Sequence, residues 1–191
     1  MRDVDPMLFP NVVGALQEAG LDPTRELVPV APAAHYGMGG IVAGLDGATD
    51  VPGLYAIGEA ACTGLHGANR LASNSLSECF VFGARAALAA LSEPPEDAGP
   101  PPAPRSLAAP SRASRAALWR DAGLVRTRAG LERLLDDTHP LVALIGAHAL
   151  LREESRGAHA RADFPDRDPA LDRHHSVSRA GVRGPAFELW S

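Results

Sequence analysis

A chain of 191 residues, 46% of them hydrophobic, has room for one medium domain or two small ones, but with 5% aromatics its core must rest on Leu, Val and Ala. A net charge of −5, with arginines spread along the chain, excludes a general pull toward nucleic acid or an anionic membrane. The opening stretch MRDVDPMLFP has no apolar signal core, no apolar run reads as long enough to span a bilayer, and Cys62 and Cys79 fit no CxxC or zinc spacing. The expectation is a cytoplasmic protein with reduced thiols and no resident metal.

Asp5 followed by Pro6 predicts a helix start, Leu8, Val12 and Leu16 repeat at helical spacing, and Gly20 predicts the stop. ELVPVAP then reads as extended, because its prolines forbid helix. GGIVAG and GLYAIG read as short strands, joined by turns at Asp46-Gly47 and Pro52-Gly53. From Asn74 a long helix is expected, with Asn74 as cap and Leu76, Phe80, Gly83 and Ala87 along one stripe. Residues 94–110 form a Pro/Ala-rich linker without a core of its own. Three further helices are predicted over 112–122, 127–137 and 141–156, separated by Gly123 and by His139-Pro140. The remainder, from Gly157, is polar and rich in turns, composition suited to a tail draped over another surface or disordered.

The chemistry concentrates between Ala33 and Cys79, where glycines alternate with polar groups that a packed core would not choose. Glu59, after a strand ending in glycine, can accept hydrogen bonds from ribose hydroxyls; the alternative is a solvated loop glutamate. Ser73, Asn74 and Ser75 open the long helix, where free N–H groups and the helix dipole stabilise a ligand that gathers negative charge. Simple capping explains those three equally, though not Arg70 and His66 among the glycines just before. Arg70 offers a planar fork for a carboxylate, or a structural ion pair. His35 can donate to a ligand oxygen, or be a satisfied structural residue.

Taken together, VPVAPAAHYGMGG, GLYAIGE and TGLHGANRLASNSL, with ESRGAH further on, resemble the carboxyl-terminal flavin and substrate segment of the L-aspartate oxidases. That family lies within the succinate dehydrogenase/fumarate reductase flavoprotein superfamily. The resemblance runs from Phe9 to about Ala90 and resumes in the helical part. It implies FAD as cofactor and L-aspartate as substrate, with fumarate or succinate as the related ligands. It implies that Glu59 contacts FAD and that Ser75 and Leu76, beside Asn74, meet the isoalloxazine ring. His35 and Arg70 would hold the substrate carboxylate and carry the catalytic assignment, with His66 in the same substrate loop.

The implied fold class is α+β: a partial FAD-binding domain of short strands plus a long helix, then a three-helix bundle and an extended tail. Its divisions are 1–37 (end of a capping domain), 38–91 (closing part of the FAD-binding domain), 92–111 (linker), 112–157 (bundle) and 158–191 (tail). No G-x-G-x-x-G follows an apolar strand; the nearest approach, Gly37-x-Gly39, has Val42 where the third glycine belongs. The resemblance therefore implies roughly the final third of an enzyme, inactive alone, whose amino-terminal FAD-binding half lies elsewhere or on another chain. A succinate dehydrogenase or fumarate reductase fragment, or a non-catalytic remnant with a helical interaction module, are the alternatives. No nucleic-acid or membrane partner is expected.

Overall fold

The computed structural model describes residues 5–93 and 107–190, and the chain divides into two units, Met1–His35 and Tyr36–Ser191. Most of the expected linker lies outside the described residues.

In the first unit, Asp5 Oδ1 accepts the Met7 N–H at 2.9 Å and opens a 3-10 turn over Pro6–Leu8; α1 (Pro10–Glu18) follows. The single helix expected here is thus broken. Pro10 excludes helical backbone at the residue before it, and Phe9 takes φ −133° and ψ 55°. Gly20, at φ 79°, ends the helix, and no residue of α1 is buried.

The second unit carries everything else. β1 (Ile41–Val42) pairs in parallel with β2 (Ala61–Cys62), and the expected turns form between them. Gly47 (φ 76°) sends its N–H to Gly44 O, and Leu54 N–H bonds Val51 O across Pro52-Gly53 (φ 72°). The second expected strand, GLYAIG, is reduced to a bridge between Tyr55 and Ala48. Its hydrogen bonds serve its own hairpin, Ala56 N–H to Gly47 O and Thr49 N–H to Leu54 O, instead of a neighbouring strand.

α2 (Asn74–Ser92) lies over the 56–61 stretch at small residues. A Cβ on Gly58 would come 2.8 Å from Cys79 Sγ, and one on Gly47 would come 3.0 Å from Ala86 Cβ. Its cap is Ser73, in the left-handed region at φ 65°, not Asn74, which is the first helical residue. The buried stripe is Glu78, Phe82 and Ala86; Leu76 and Phe80, expected inside, are 65% and 78% exposed. The helix is rotated so that Glu78 faces its hydrogen-bond donors. By length and composition alone α2, with mean hydropathy 1.2, suffices to cross a membrane, which corrects the expectation that no apolar run does. The cause is the run of Ala, Phe, Val and Leu around Arg85, which outweighs that charge and Glu78.

α3 (Arg112–Ala122), α4 (Arg128–Leu134) and α5 (Pro140–Leu151) form the bundle, capped by Ser111 Oγ on Ser114 N–H and by Thr127 Oγ1 on Gly130 N–H. Leu131, Leu134, Val142 and Ala149 make its core, flanked by Ala117, Leu118, Ala122 and Leu150. Gly146 lets α4 and α5 close up, since a Cβ there would fall 2.8 Å from Leu134 Cβ. α5 stops at Leu151, short of the expected 156, because Glu154 leaves the helix to become a buried anchor. Its carboxylate is fully buried and receives Arg152, Arg156 Nε (2.8 Å) and Asp168 N–H (2.9 Å). The tail holds strands that composition concealed: β3 (His174–Val177) pairs antiparallel with β4 (Ala186–Leu189). At the open end of that hairpin, His175 stacks on Trp190 at 4.0 Å.

Candidate functional site

The loop between β2 and α2 is two successive turns, Gly67 N–H to Gly64 O and Asn69 N–H to His66 O, with Gly64 and Gly67 at positive φ. It is held from two sides. Trp190 lies against Gly64, and Ala158 donates its N–H to Ala68 O at 2.9 Å. The second contact requires Gly157 (φ +57°), since a Cβ there would sit 2.4 Å from Ala68 O. The ESRGAH segment thus clamps the loop that carries His66 and Arg70.

Beneath the loop, Glu78 projects from the second turn of α2 with its side chain 1% exposed. Three donors from separate positions converge on it. His66 Nε2 is 2.7 Å from Oε2, Tyr36 OH donates to Oε2 at 3.2 Å, and Thr63 Oγ1 donates to Oε1 at 3.3 Å. Burial, with the adjacent Glu78 carboxylate, pushes the Tyr36 phenol up to about 12. Tyr36 meets the His66 ring edge-on at 5.3 Å, and the Arg70 guanidinium lies over the Tyr36 ring, 4.7 Å from its centroid. Arg70 Nη1 donates to Leu71 O, while Arg70 Nε and His66 Nδ1 are buried without a hydrogen-bond partner. A cavity of about 30 Å³ borders this cluster, lined in part by Cys62, Thr63, His66, Glu78 and His175. Burial also pushes the Cys62 thiol up.

The structure therefore brings His66 and Arg70 together and adds Tyr36, Thr63 and Glu78, which sequence reasoning missed. One signal was available for Glu78, a single carboxylate within the otherwise apolar helical run SLSECFVF. Glu59 is exposed, and its Oε1 accepts the Gly37 N–H at 2.8 Å, which fixes the carboxylate toward the glycine turn. Ser75 is half-buried and Leu76 exposed in the first turn of α2, where no side chain caps the backbone. His35 ends the first unit as an exposed residue. Among the described residues no cluster of His, Cys, Asp or Glu is arranged to hold a metal ion.

A second polar network ties the tail to the bundle. Arg161, 1% exposed, pairs with both oxygens of Asp163 at 2.8 Å and donates to the carbonyls of Ala149 and Arg152. His159 joins Arg126 (2.6 Å) to Arg152 O (3.1 Å), and burial, with the surrounding arginines, holds its imidazole below the ordinary value.

The FAD binding domain family matches residues 9–76, and the Fumarate reductase flavoprotein C-term family matches residues 135–188. A Caulobacter vibrioides L-aspartate oxidase is 49% identical over 86% of this chain and 35% of its own length. An L-aspartate oxidase of Rhodospirillum rubrum is 44% identical over 86% of this chain and 68% of its own. One from Agrobacterium fabrum is 46% identical, with 89% of this chain and 36% of that protein covered. The chain thus spans about a third of the Caulobacter and Agrobacterium relatives' length. Among solved structures, Mycobacterium smegmatis Sdh1 in complex with UQ1 superposes with TM-score 0.71 at 27% identity, over 97% of this chain and 41% of that one. An E. coli quinol fumarate reductase superposes with TM-score 0.73 over 99% and 43%, a likeness of fold at 24% identity.

Proposed function

Because the chain belongs to the L-aspartate oxidase family of FAD-dependent oxidoreductases, we propose that it supplies the closing flavin contacts and the substrate-gripping loop of such an oxidase. The observation that carries this reading is Arg70, stacked on Tyr36 with a buried Nε that has no partner in a loop fixed from both sides. A guanidinium held over a ring in that way, with its Nε–H unpartnered, is prepared for a carboxylate.

The residues present fit the cofactor. The first turn of α2 carries no side-chain cap; Asn74 N–H and Leu76 N–H go to Leu71 O and Ser73 O, which leaves the Ser75 N–H and the positive end of the helix dipole to face an electron-rich ring edge, with Leu76 beside it. Glu59, exposed and aimed by the Gly37 N–H, would take a ribose hydroxyl. Bound FAD supplies the two-electron acceptor that makes iminoaspartate from L-aspartate, the entry step of NAD biosynthesis. The protein's part is to bind and orient: Arg70, with His66 beside it, holds the dicarboxylate, and His35 is a further substrate-binding residue. We place the enzyme in the cytoplasm, with a further FAD-binding part on a longer form of this chain or on a partner.

The test is turnover by the FAD-loaded oxidase containing this chain, with L-aspartate and succinate offered separately. Aspartate oxidation with peroxide release is expected, and Arg70→Leu should cut it by at least a hundredfold while bound flavin stays, since each ~1.4 kcal/mol is tenfold in rate. Turnover of succinate alone would move the assignment to the succinate dehydrogenase side of the superfamily. Flavin lost with Arg70 would make that residue a cofactor contact.

A further inference from the structure

Glu78 is a charged group in the body of an apolar helix; it is not itself among the residues assigned above to substrate or cofactor, but it bonds one of them, His66. A carboxylate withdrawn from water is costly unless its oxygens are filled, and here they are filled by His66, Tyr36 and Thr63. Two of those donors are the ring partners of the substrate loop. Tyr36 is the surface on which the Arg70 guanidinium lies, and His66 packs edge-on against that same ring. The connection from Glu78 to Arg70 is therefore a chain of single contacts: carboxylate to phenol, phenol ring to guanidinium.

We propose that Glu78 is a positioning residue for Arg70, fixing the plane and reach of the guanidinium through Tyr36 and so setting the affinity for the dicarboxylate. This rests on the functional reading above for its substrate, but not for its geometry. The buried carboxylate also keeps a hydrogen on His66 Nε2, which leaves Nδ1 as the atom of that ring without a partner. The high phenol value of Tyr36 fits the arrangement, because an ionised Tyr36 would face Glu78 in a dry site. No smaller change isolates Glu78 better than Glu78→Gln. An amide of the same shape offers one acceptor oxygen where three donors converge, and turns its NH2 group toward at least one of them. Tyr36→Phe keeps the platform under Arg70 and cuts only the tie to Glu78.

Two measurements are needed. In the oxidase containing this chain, labelled at tyrosine Cζ and arginine Nε, NMR follows the Tyr36 titration and the exchange of the Arg70 Nε–H with solvent. Glu78→Gln should bring Tyr36 from about 12 toward the ordinary tyrosine value and speed the Arg70 Nε–H exchange by about tenfold or more. In the FAD-loaded oxidase the same variant should raise the KM for L-aspartate by about tenfold, with flavin content and kcat within about twofold of the parent. Tyr36→Phe, which spares the packing, should move KM the same way by a smaller factor, and it decides the matter if Glu78→Gln does not fold. An unchanged KM in a variant whose Arg70 exchange has quickened overturns the proposal. So does a loss of flavin in parallel with KM in a variant that still folds, the mark of a merely structural residue. If the parent enzyme turns over no dicarboxylate, the functional reading has failed; the Arg70 exchange then decides Glu78 alone, unchanged exchange refuting it.

Discussion

At the level of single residues, the two carboxylates of the site have opposite surroundings, and their surroundings separate their roles. Glu78 is enclosed and saturated with donors; Glu59 is exposed, with one oxygen on the Gly37 N–H. A cofactor hydroxyl can reach only the second. Glu59→Ala should therefore weaken FAD binding by about 10- to 100-fold, the worth of a charge-assisted hydrogen bond, as read by flavin titration of the oxidase. His35→Ala should leave flavin affinity unchanged and raise the KM for aspartate. The same phenotype from both would refute the division of labour. Arg70, His66 and Glu59 stand out in the sequence as candidates because charged groups among glycines have no packing reason to be there. Tyr36 and Glu78 were not, because a tyrosine beside a glycine turn and a glutamate within a helix look ordinary until the fold places one against the other. His66 was legible as a loop residue, but its partner lies 12 positions away and only the turn of α2 brings the two together.

The elements were legible wherever a local signal was sufficient. α3 takes its expected bounds because Ser111 caps it and Gly123 ends it. The signal failed where a distant partner decided. α5 ends at Leu151 because Glu154 is needed by Arg152 and Arg156, and the β3–β4 hairpin forms in a polar tail because His175 and Trp190 stack at its open end. α2 shows the third kind of failure: its period was right and its phase wrong, since a buried carboxylate rather than the longest apolar stripe turned Glu78, Phe82 and Ala86 inward. One glycine tests how elements support the site. Gly157→Ala must fit a Cβ 2.4 Å from Ala68 O and hold φ +57°, so the clamp between the ESRGAH segment and the loop that carries His66 and Arg70 has to open. The left-handed backbone alone costs about 1–2 kcal/mol. A urea melt should show the chain destabilised by at least that amount, and the oxidase should show a raised KM for aspartate. An alanine variant as stable as the parent would mean that this clamp does not form.

Across the whole molecule, acid should act on the tail and bundle before anything else. His148, His159 and His175 are each held below the ordinary histidine value by burial, so folding favours their neutral forms. That stability is complete above the unfolded value, ~6.5, and is lost as pH falls through the lower folded values. The carboxylates act in the same direction at lower pH. Hydrogen bonds from Arg167 and Arg156 hold Asp172 down to about 2, and although burial raises Glu154, its bonds from Arg156, Asp168 N–H and Arg152 outweigh that and keep it low. Their share is present above ~4 and lost toward pH 2. Urea midpoints should be level above pH ~7, fall toward pH 5 and fall again below 4; a midpoint that rises on acidification would contradict these assignments. Cofactor retention is the other property of the whole chain. Glu59 and the first turn of α2 can meet a ribose and one edge of the ring, but the pyrophosphate carries the charge of FAD and needs a glycine-rich turn at a helix start, which this sequence does not contain. Leu76, Phe80, Leu88 and Leu91 meanwhile stand exposed along α2, an apolar face of the kind that is covered by another part of a protein. The 191-residue chain, purified alone and mixed with FAD, should therefore show no protein-bound flavin spectrum and release no peroxide with aspartate, and light scattering should show it self-associating. Adding a separately expressed polypeptide that carries a G-x-G-x-x-G strand-turn-helix from a family member should suppress the association and bring flavin into the complex. A yellow, active, monomeric product from the chain alone would show that the pyrophosphate is held by residues not recognised above.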